Sequence, residues 1–285
     1  MDDEMLQYLQ DIAWQLGFLA VLTAVFTALA FLSRGREALR WPKSLRQSAV
    51  TNFLLLQFSS LNGALYLVLI APLSLAYTEL GLPVLQAEVW QDQPIWLKAL
   101  VALLVYDFGI YWVHRFLHTS WLWPSHAVHL SDPELHFLSW SRGHFTEQLV
   151  IAAALVFTTS WLGFGLEEIA GLALIKGLHQ YYVHSKLDWD HGIFREVLVS
   201  PQFHRWHHAN VPEAYDKNFA SIFPFYDRLF GTWYNPGSAI NVPTGIEDNP
   251  PNDFVTQTLY PFRAWARMLK AYRAQLQRKA RGRVA

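Results

Sequence analysis

Three histidines stand close together in the segment 200–208, which reads SPQFHRWHH. His207 and His208 follow His204 by three and four residues, so on a helix all three imidazoles can point toward one spot. A neutral imidazole is a common metal ligand. A single histidine on an apolar face is usually a packed or hydrogen-bonded core residue, but three at this spacing predict a metal site.

Similarly spaced histidines occur upstream, and together they exceed what one metal ion needs. They are His114 and His118, His126 and His129, and His179 and His184, with His136 and His144 as further candidates. One metal ion uses about three or four histidines, so this number predicts two ions. Two metal ions about 4 Å apart can hold one oxygen species between them. Imidazole suits iron, zinc, copper and nickel, so the spacing leaves the metal open.

The rest of the composition argues against several other classes of site. The chain has no cysteine, which excludes disulfides, thiolate metal sites and cysteine nucleophiles. It lacks the His-Glu-x-x-His and Gly-x-Ser-x-Gly patterns of common zinc proteases and serine hydrolases. The formal net charge of −1 gives no indication of nucleic-acid binding. The acidic start, MDDEM, does not predict a signal peptide.

The elements that position the histidines are predicted to be membrane helices. The chain has 285 residues, of which 52% are hydrophobic and only 16% are charged, a low charge for a soluble globular protein. Apolar segments long enough to span a bilayer lie at residues 12–32, 50–77 and 96–113. The third of these segments leads directly into His114, so it delivers the first histidine at the end of a span.

The charges between the apolar segments predict an orientation in the membrane. Residues 34–46 are basic and residues 78–93 are acidic. By the positive-inside rule, the first loop is cytoplasmic and the second lies outside. The third span then returns the chain to the cytoplasmic face, where the histidines and the basic segment 254–283 follow. Shorter apolar segments at 149–162 and 169–178 predict a hairpin that either dips into the membrane or crosses it.

Asp107 interrupts the third predicted span. It precedes His114 by seven residues, which is about two helical turns, so both side chains share one face of the helix. An ionisable group at that depth is costly. The pattern therefore predicts either a carboxylate that holds a ligand imidazole from behind, or an aspartate that packs between helices. Further along, Asp227 and Arg228 predict a structural turn with a local ion pair.

The order of these motifs resembles the fatty acid hydroxylase and sterol desaturase superfamily of integral membrane proteins. Their C-terminal end is similar to bacterial members and to alkylglycerol monooxygenase. The resemblance runs from about Asp107 to Trp233. The matching patterns are D-x6-HR-x2-H from Asp107 to His118, LW-x2-H-x2-H from Leu122 to His129, R-x-H-x2-E from Arg142 to Glu147, His184-Ser185, P-x2-HR-x-HH from Pro201 to His208, and then DKNFA and DRLFGT.

The resemblance implies a non-haem centre of two iron ions that uses molecular oxygen to hydroxylate or desaturate a lipid or sterol-like substrate, with zinc as an alternative metal in the purified protein. Carried over by position, the metal ligands are His114, His118, His126, His129, His184, His204, His207 and His208, with His144 and His179 as ligand or outer-shell candidates. One position departs from the family: its middle motif usually ends in adjacent histidines, where this chain has Leu130. Either one metal lacks a ligand, or a nearby histidine such as His136 replaces it.

These patterns together predict an all-α integral membrane helical bundle with a cytoplasmic histidine-rich helical domain. Residues 1–96 are predicted to form the N-terminal transmembrane helices. Residues 97–235 form the hydroxylase-like two-metal domain with its membrane hairpin. Residues 236–285 form a surface loop and a basic helix, which lies on the membrane surface or in solvent. The expected location is a bacterial cytoplasmic membrane, crossed several times, and the expected electron donor is a separate protein because the chain has no flavin or nicotinamide motif.

Two other functions fit the same histidines. One is a zinc-dependent membrane hydrolase, and the other is a non-enzymatic membrane metal-binding protein such as a transporter or sensor. A transporter is expected to place its ligands within the spans, whereas these histidines lie beyond the span ends. Metal analysis separates an iron oxygenase from a zinc hydrolase.

Overall fold

The computed structural model describes residues 3–40, 42–61, 68, 72–73, 75–164 and 166–282. Within these residues the regular structure is helical, and the one strand-like feature is an isolated bridge between Ala209 and Thr244. The α-helices, in chain order, are α1 Asp3–Arg34, α2 Lys43–Leu61, α3 Ile95–Leu117, α4 Trp123–Leu130, α5 Phe145–Leu162, α6 Leu166–Val183, α7 Pro201–His207, α8 Phe225–Leu229 and α9 Phe254–Gly282. The predicted all-α class is confirmed.

Three of the described helices are long and apolar enough to cross a membrane: Ala13–Glu37, Ile95–Leu117 and Phe145–Leu162. The first two coincide with predicted spans, and the third is the first arm of the predicted hairpin. The predicted span at 50–77 is described only in part, because α2 ends at Leu61 and most residues from 62 to 74 lie outside the described part of the chain. The protein is a membrane protein.

The candidate spans expose large apolar side chains. On α1, Trp14 and Leu32 are each 80% exposed, and on α3, Ile95 is 75% exposed. Water-soluble helices instead present a polar face on the side away from the core. Contiguous apolar exposure of this kind is typical of a surface that contacts lipid.

Helices α3 and α5 run antiparallel, and α6 returns beside them. The segment before α3 meets the end of α5, where the Leu85 N–H donates to the Trp161 carbonyl at 2.9 Å. At the other end, His126 of α4 lies against both His114 near the end of α3 and Glu147 near the start of α5. Buried apolar residues of the three helices pack between these two ends. The hairpin of α5 and α6 therefore runs alongside the whole of α3.

Gly163 makes the tight turn after α5 possible. Its φ is +68°, a left-handed conformation that glycine adopts without steric cost. A Cβ added at this position would lie 2.5 Å from the Leu85 carbonyl oxygen. The turn at the far end of the hairpin therefore requires glycine for both its conformation and its close packing.

A buried polar network fastens α2 to the chain after α4. Asp132 is fully buried and accepts hydrogen bonds from Ser48, from Asn52 at 2.7 Å and from Ser139 at 2.7 Å. The Arg142 guanidinium, also buried, donates to the Asn52 side chain at 3.0 Å. Burial alone would raise the pKa of Asp132, but Arg142 and the surrounding donors outweigh it and the pKa is lowered. The carboxylate is thus held in its charged form.

The C-terminal segment covers the histidine-rich end of the bundle. The loop predicted to lie on the surface buries Ala239, Thr244 and Ile246 against it. Helix α9 packs through its first half, where the Trp265 indole donates to the Trp121 carbonyl at 2.7 Å. Its second half is exposed and basic. Only that second half fits the predicted solvated or membrane-surface helix.

Candidate metal centre

Eight histidines form two groups of four, in each of which the ligand atoms lie within 4.8 Å of one another. The first histidine group is His114, His118, His126 and His207. The second histidine group is His129, His184, His204 and His208. All eight are among the ligands implied by the family resemblance.

The three histidines of α7 do not point toward one spot, so that prediction is wrong. His204 and His208 belong to the second group, while His207 belongs to the first. Each residue of an α-helix is rotated by about 100° from the one before it. The side chains three and four positions after His204 therefore point to opposite sides of the His204 side chain. A short helix between two sites therefore serves both. His126 and His129 of α4 are divided between the groups in the same way.

Helix α7 starts sharply, which fixes the directions of its histidines. The Ser200 hydroxyl caps the helix by accepting a hydrogen bond from the Phe203 N–H at 3.1 Å. Pro201 occupies the first turn, where its missing N–H costs nothing. All residues of the helix are buried. The serine and proline of the SPQF sequence thus set the register of the ligands that follow.

Backbone carbonyls fix the tautomer of two imidazoles in the first group. His114 Nδ1 lies 2.8 Å from the Phe219 oxygen, and His207 Nδ1 lies 2.8 Å from the Lys217 oxygen. A carbonyl oxygen only accepts, so Nδ1 carries the proton in both rings. Each Nε2 is then an unprotonated lone-pair donor that faces its group.

Carboxylates hold the other two imidazoles of the first group. His118 Nδ1 lies 2.9 Å from Asp216, and His126 Nδ1 lies 2.8 Å from Glu147. A carboxylate behind a ligand imidazole orients the ring and raises its basicity. The Glu147–His126 pair is buried, whereas the Asp216 side chain is exposed.

The Nε2 atoms of the first group lie close together and lack hydrogen-bond donors that would satisfy them. His126 Nε2 lies 3.0 Å from His114 Nε2, in a ring whose proton is on Nδ1. His118 Nε2 and His207 Nε2 are buried and have no hydrogen-bond partner among the described residues. Facing lone pairs repel, and buried acceptors without partners are costly. A bound cation satisfies all four nitrogens.

The second group repeats this arrangement. His184 Nδ1 lies 2.7 Å from the Gln180 carbonyl oxygen, which leaves Nε2 as a lone-pair donor. That Nε2 lies 3.2 Å from His129 Nε2 and 2.9 Å from His204 Nε2. His208 Nε2 lies 3.1 Å from His204 Nε2. The residues of both groups therefore fit a metal ion.

Six of the grouped imidazoles, all outside the candidate spans, are neutral at physiological pH. Burial lowers the pKa of His184 and His207 to about 3. Burial, followed by the neighbouring imidazoles, lowers the pKa well below its usual value for His126, His129, His204 and His208. Metal binding needs neutral imidazole, so protons do not compete for these nitrogens near neutral pH.

Asp107 acts on the first group through the backbone. Its carboxylate accepts the N–H groups of Ser221, Ile222 and Phe223 at 2.6 to 3.0 Å. It therefore holds the segment whose Phe219 carbonyl binds His114, rather than holding an imidazole directly.

Asp227 has a role that the sequence interpretation missed. It accepts the N–H groups of Phe219 and Ala220 and the Thr232 hydroxyl. Arg228 instead pairs with Glu196 at 2.6 Å, so the predicted ion pair between Asp227 and Arg228 is wrong. The DRLFGT motif contains Asp227, and it was the sequence feature that could have indicated this role.

Three candidate histidines lie outside both groups. His144 caps α5, with its Nδ1 accepting from the Thr146 N–H at 3.2 Å. His179 Nε2 lies 3.2 Å from the Val199 carbonyl oxygen. His136 Nε2 lies 3.3 Å from the Asn52 amide nitrogen, in the polar network beside α2. The structure does not bring these residues to the ligand atoms.

Leu130 leaves neither group short of four histidines. Its side chain is buried against Ala127 and Ile246, with Tyr260 packed beside them. The position points into an apolar cluster under α9. No replacement ligand is needed to complete the second group.

A small cavity of about 40 Å³ borders both groups, with room for a few water-sized atoms. Its wall includes His114, His129, Glu147 and Lys176. The Lys176 ammonium lies 4.7 Å from the centre of the Trp140 ring, a cation–π contact. The sequence interpretation treated 169–178 as simply apolar, although a lone lysine there was a signal.

Comparison with known proteins identifies the region that carries the histidines. Residues 99–232 match the family model described as Fatty acid hydroxylase. This match confirms the family resemblance that the motifs carry. The fatty acid hydroxylase region includes both histidine groups, Asp107 and Asp227.

Relatives with curated descriptions act on lipids or related long-chain compounds, according to their names. Ornithine lipid hydroxylase OlsE of Rhizobium tropici is 28% identical over 62% of this chain and 54% of its own length. Alkylglycerol monooxygenase of Danio rerio is 33% identical over 47% of this chain and 30% of its own length. Very-long-chain aldehyde decarbonylase GL1-11 of Oryza sativa subsp. indica is 30% identical over 49% of this chain and 54% of its own length. The chain thus spans about half or less of these relatives, and no solved structure matches it.

Proposed function

We propose that the protein is a membrane-bound oxygenase that uses two iron ions and molecular oxygen to hydroxylate or desaturate a lipid. The observation that carries the proposal is the division of eight histidines, six buried and two half-buried, into two groups of four on shared helices. Relatives named as a lipid hydroxylase and a monooxygenase support the reaction class.

Each group offers one site to an iron ion, with four imidazole nitrogens. Iron ions held there would activate molecular oxygen, which would supply the oxidising power needed to remove hydrogen from an unactivated carbon. The protein's own part is to keep the imidazoles neutral, oriented and shielded from water. The carbonyls of Phe219, Lys217 and Gln180 fix three of the tautomers. Buried Glu147 holds a fourth ring and borders the cavity where a carbon–hydrogen bond would lie.

The lipid substrate is proposed to approach between α3, α5 and α6. These helices supply Ile110, Ile151 and Lys176 to the wall of the cavity beside the histidines. Whether the substrate gains oxygen or loses a second hydrogen depends on which neighbouring carbon is held there. Electrons come from a separate donor protein in this proposal.

We further propose a multi-pass topology with the histidine groups at the cytoplasmic face. The basic residues 34–46 and the exposed basic end of α9 lie on the side of the histidines in this arrangement, and residues 78–93 lie outside. At 18 residues, α5 is about 27 Å long, close to the thickness of the hydrocarbon core. An impermeant thiol reagent applied to intact cells should label Glu88→Cys and spare Arg278→Cys. The reverse labelling would contradict the orientation.

The reaction is tested by growing cells under isotopically heavy oxygen gas and analysing their lipids by mass spectrometry. A labelled lipid should appear with the wild-type protein and disappear with His207→Ala. His191→Asn serves as the control, because His191 lies outside both groups and has a φ of 66° that asparagine tolerates. A product lighter by two hydrogens without label would indicate desaturation. Formation of the product without oxygen, or label that comes only from water, would contradict the oxygenase and favour a zinc hydrolase.

A further inference from the structure

A cavity of about 360 Å³ lies at the end of α1, and none of the eight grouped histidines lines it. One of its walls is apolar and includes Phe26, Ala30 and Phe137. The rings of Phe26 and Phe137 stack with their centroids 5.6 Å apart. The volume is within the range of small-molecule sites, so the cavity admits more than a few waters.

The other wall of this cavity is charged, with three basic residues and two acidic ones, Glu37 and Glu134. It carries Arg34, Arg40 and Lys186. Arg34 lies 3.6 Å from Glu37, and Lys186 lies 3.2 Å from Glu134. The Arg40 side chain is exposed and has no ion-pair or hydrogen-bond partner among the described residues. One guanidinium therefore remains available to an anionic ligand.

The cavity lies where the headgroups of a bilayer would be. Phe26 and Ala30 belong to the candidate span Ala13–Glu37, and Arg34 stands near the end of that span. Apolar residues of the cavity thus face the acyl region while the arginines face the interface. A guanidinium matches the geometry of a phosphate, which it can bind through two parallel hydrogen bonds.

We propose that this cavity binds the phosphate of a membrane phospholipid, with Arg34, Arg40 and Lys186 around the phosphate and an acyl chain against Phe26. The site is separate from the metal centre and does not depend on the proposed reaction. Lys186 follows His184 by only two residues, so the site shares a chain segment with one histidine of the second group. Glu37 and Glu134 hold Arg34 and Lys186 in place, and Arg40 supplies the unpaired positive charge.

The proposal is tested by titrating phosphatidylglycerol into the purified full-length protein in detergent and counting bound lipid by native mass spectrometry. The triple variant R34Q/R40Q/K186Q should bind the lipid about tenfold more weakly, because it loses every cation of the site. The triple variant R267Q/K270Q/R273Q removes the same charge from the exposed face of α9 and should change the affinity by less than about twofold. The single variant Arg40→Gln, which breaks no described contact, should weaken binding about threefold and guards against misfolding of the triple variant.

Two further ligands test whether the site recognises a phospholipid rather than an uncharged lipid or free phosphate. Diacylglycerol, which lacks the phosphate, should not bind the site, and equally tight binding would contradict recognition of phosphate. Inorganic phosphate should displace the lipid only at far higher concentration, and displacement at equal concentration would contradict a lipid ligand. Equal losses in the two triple variants would indicate general surface charge, and unchanged binding in both the cavity triple variant and Arg40→Gln would also overturn the proposal.

Discussion

Asp107 and Asp227 divide five consecutive backbone N–H groups between them. Asp227 accepts those of residues 219 and 220, and Asp107 accepts those of residues 221 to 223. The two carboxylates lie far apart in the chain but fix one short segment from its two ends. The carbonyl of Phe219 in that segment receives the Nδ1 proton of His114. Two motifs of the family pattern thus position one ligand of the first histidine group.

Replacing Asp107 by asparagine should weaken the metal at the first group and spare the second. An amide has one acceptor oxygen in place of two, so the N–H groups at 221–223 lose part of their support. Removing a group that supports a ligand typically lowers metal affinity by about 10- to 100-fold. Elemental analysis of the purified protein should show a loss of about one metal per chain.

Asp92→Asn is the matched control for this experiment, since Asp92 is exposed in the loop before α3. It should leave the metal content unchanged. Equal metal loss at both groups in Asp107→Asn would show that the aspartate supports the whole bundle rather than one ligand.

The two groups should lose metal independently. His118→Ala should empty mainly the first site and His208→Ala mainly the second, because each removes one of four nitrogens. His136→Ala should retain both metals, since His136 contacts Asn52 outside the groups. Elemental analysis of these three variants, and of His129→Ala as a reference for loss of a ligand, is the measurement. If His136→Ala loses as much metal as His129→Ala, His136 acts as the ligand that the family has at position 130, where this chain has leucine.

The eight histidines that gather are those implied by the family resemblance, whereas His144 and His179 of the same ligand list lie outside, and the division into two groups was not predicted. Helical spacing indicates only that His204, His207 and His208 lie within a small arc of one helix. The packing of α4 against α7 decides which of these histidines lies beside His126 and which lies beside His129. That packing depends on contacts between distant parts of the chain, such as Arg205 donating to the carbonyl of Leu135. Helical periodicity carries no information about such contacts.

The supporting residues were harder to predict because their partners are backbone atoms. Asp107 was recognisable as costly at its depth, yet its partners are amides more than a hundred residues away. Asp227 lay beside an arginine, and local proximity suggested an ion pair that the fold does not form. A long apolar span, by contrast, can be recognised from local composition alone. The first and third predicted spans are confirmed for that reason.

Asp132→Asn should destabilise the fold in a pH-dependent way. The pKa of Asp132 is lowered in the folded protein, so its contribution is present above the unfolded value of about 3.9 and is lost as the pH falls through the folded value. At neutral pH the variant loses the charge that offsets the burial of Arg142 and weakens the hydrogen bonds that Asp132 accepts, at a cost of about 2 kcal/mol. Thermal unfolding in detergent should show a large difference at pH 7 that shrinks below about pH 4. A difference that does not vary with pH would mean that packing, not charge, is responsible.

Lys176→Met should abolish most of the lipid product while leaving both metals in place. Lys176 lies on the wall of the cavity that borders both histidine groups, with its ammonium 4.7 Å from the Trp140 ring centre and 5.6 Å from that of Tyr106. A cation between apolar helices costs stability, so methionine should keep or raise the melting temperature. Its expected losses are the cation–π contacts with these rings and the hydrogen-bond donor that would hold an oxygen atom of the substrate; the donor is worth about tenfold in product or more.

Three measurements on the same preparations separate this role from a structural one. Metal content and melting temperature should match the wild type in Lys176→Met, while lipid mass spectrometry shows the loss of product. Lys176→Arg retains the charge and should restore part of the product. Leu178→Met, on the exposed face of the same helix, should behave as the wild type in all three. If Lys176→Met forms the product normally, or if it loses metal together with the product, the lysine does not position the substrate.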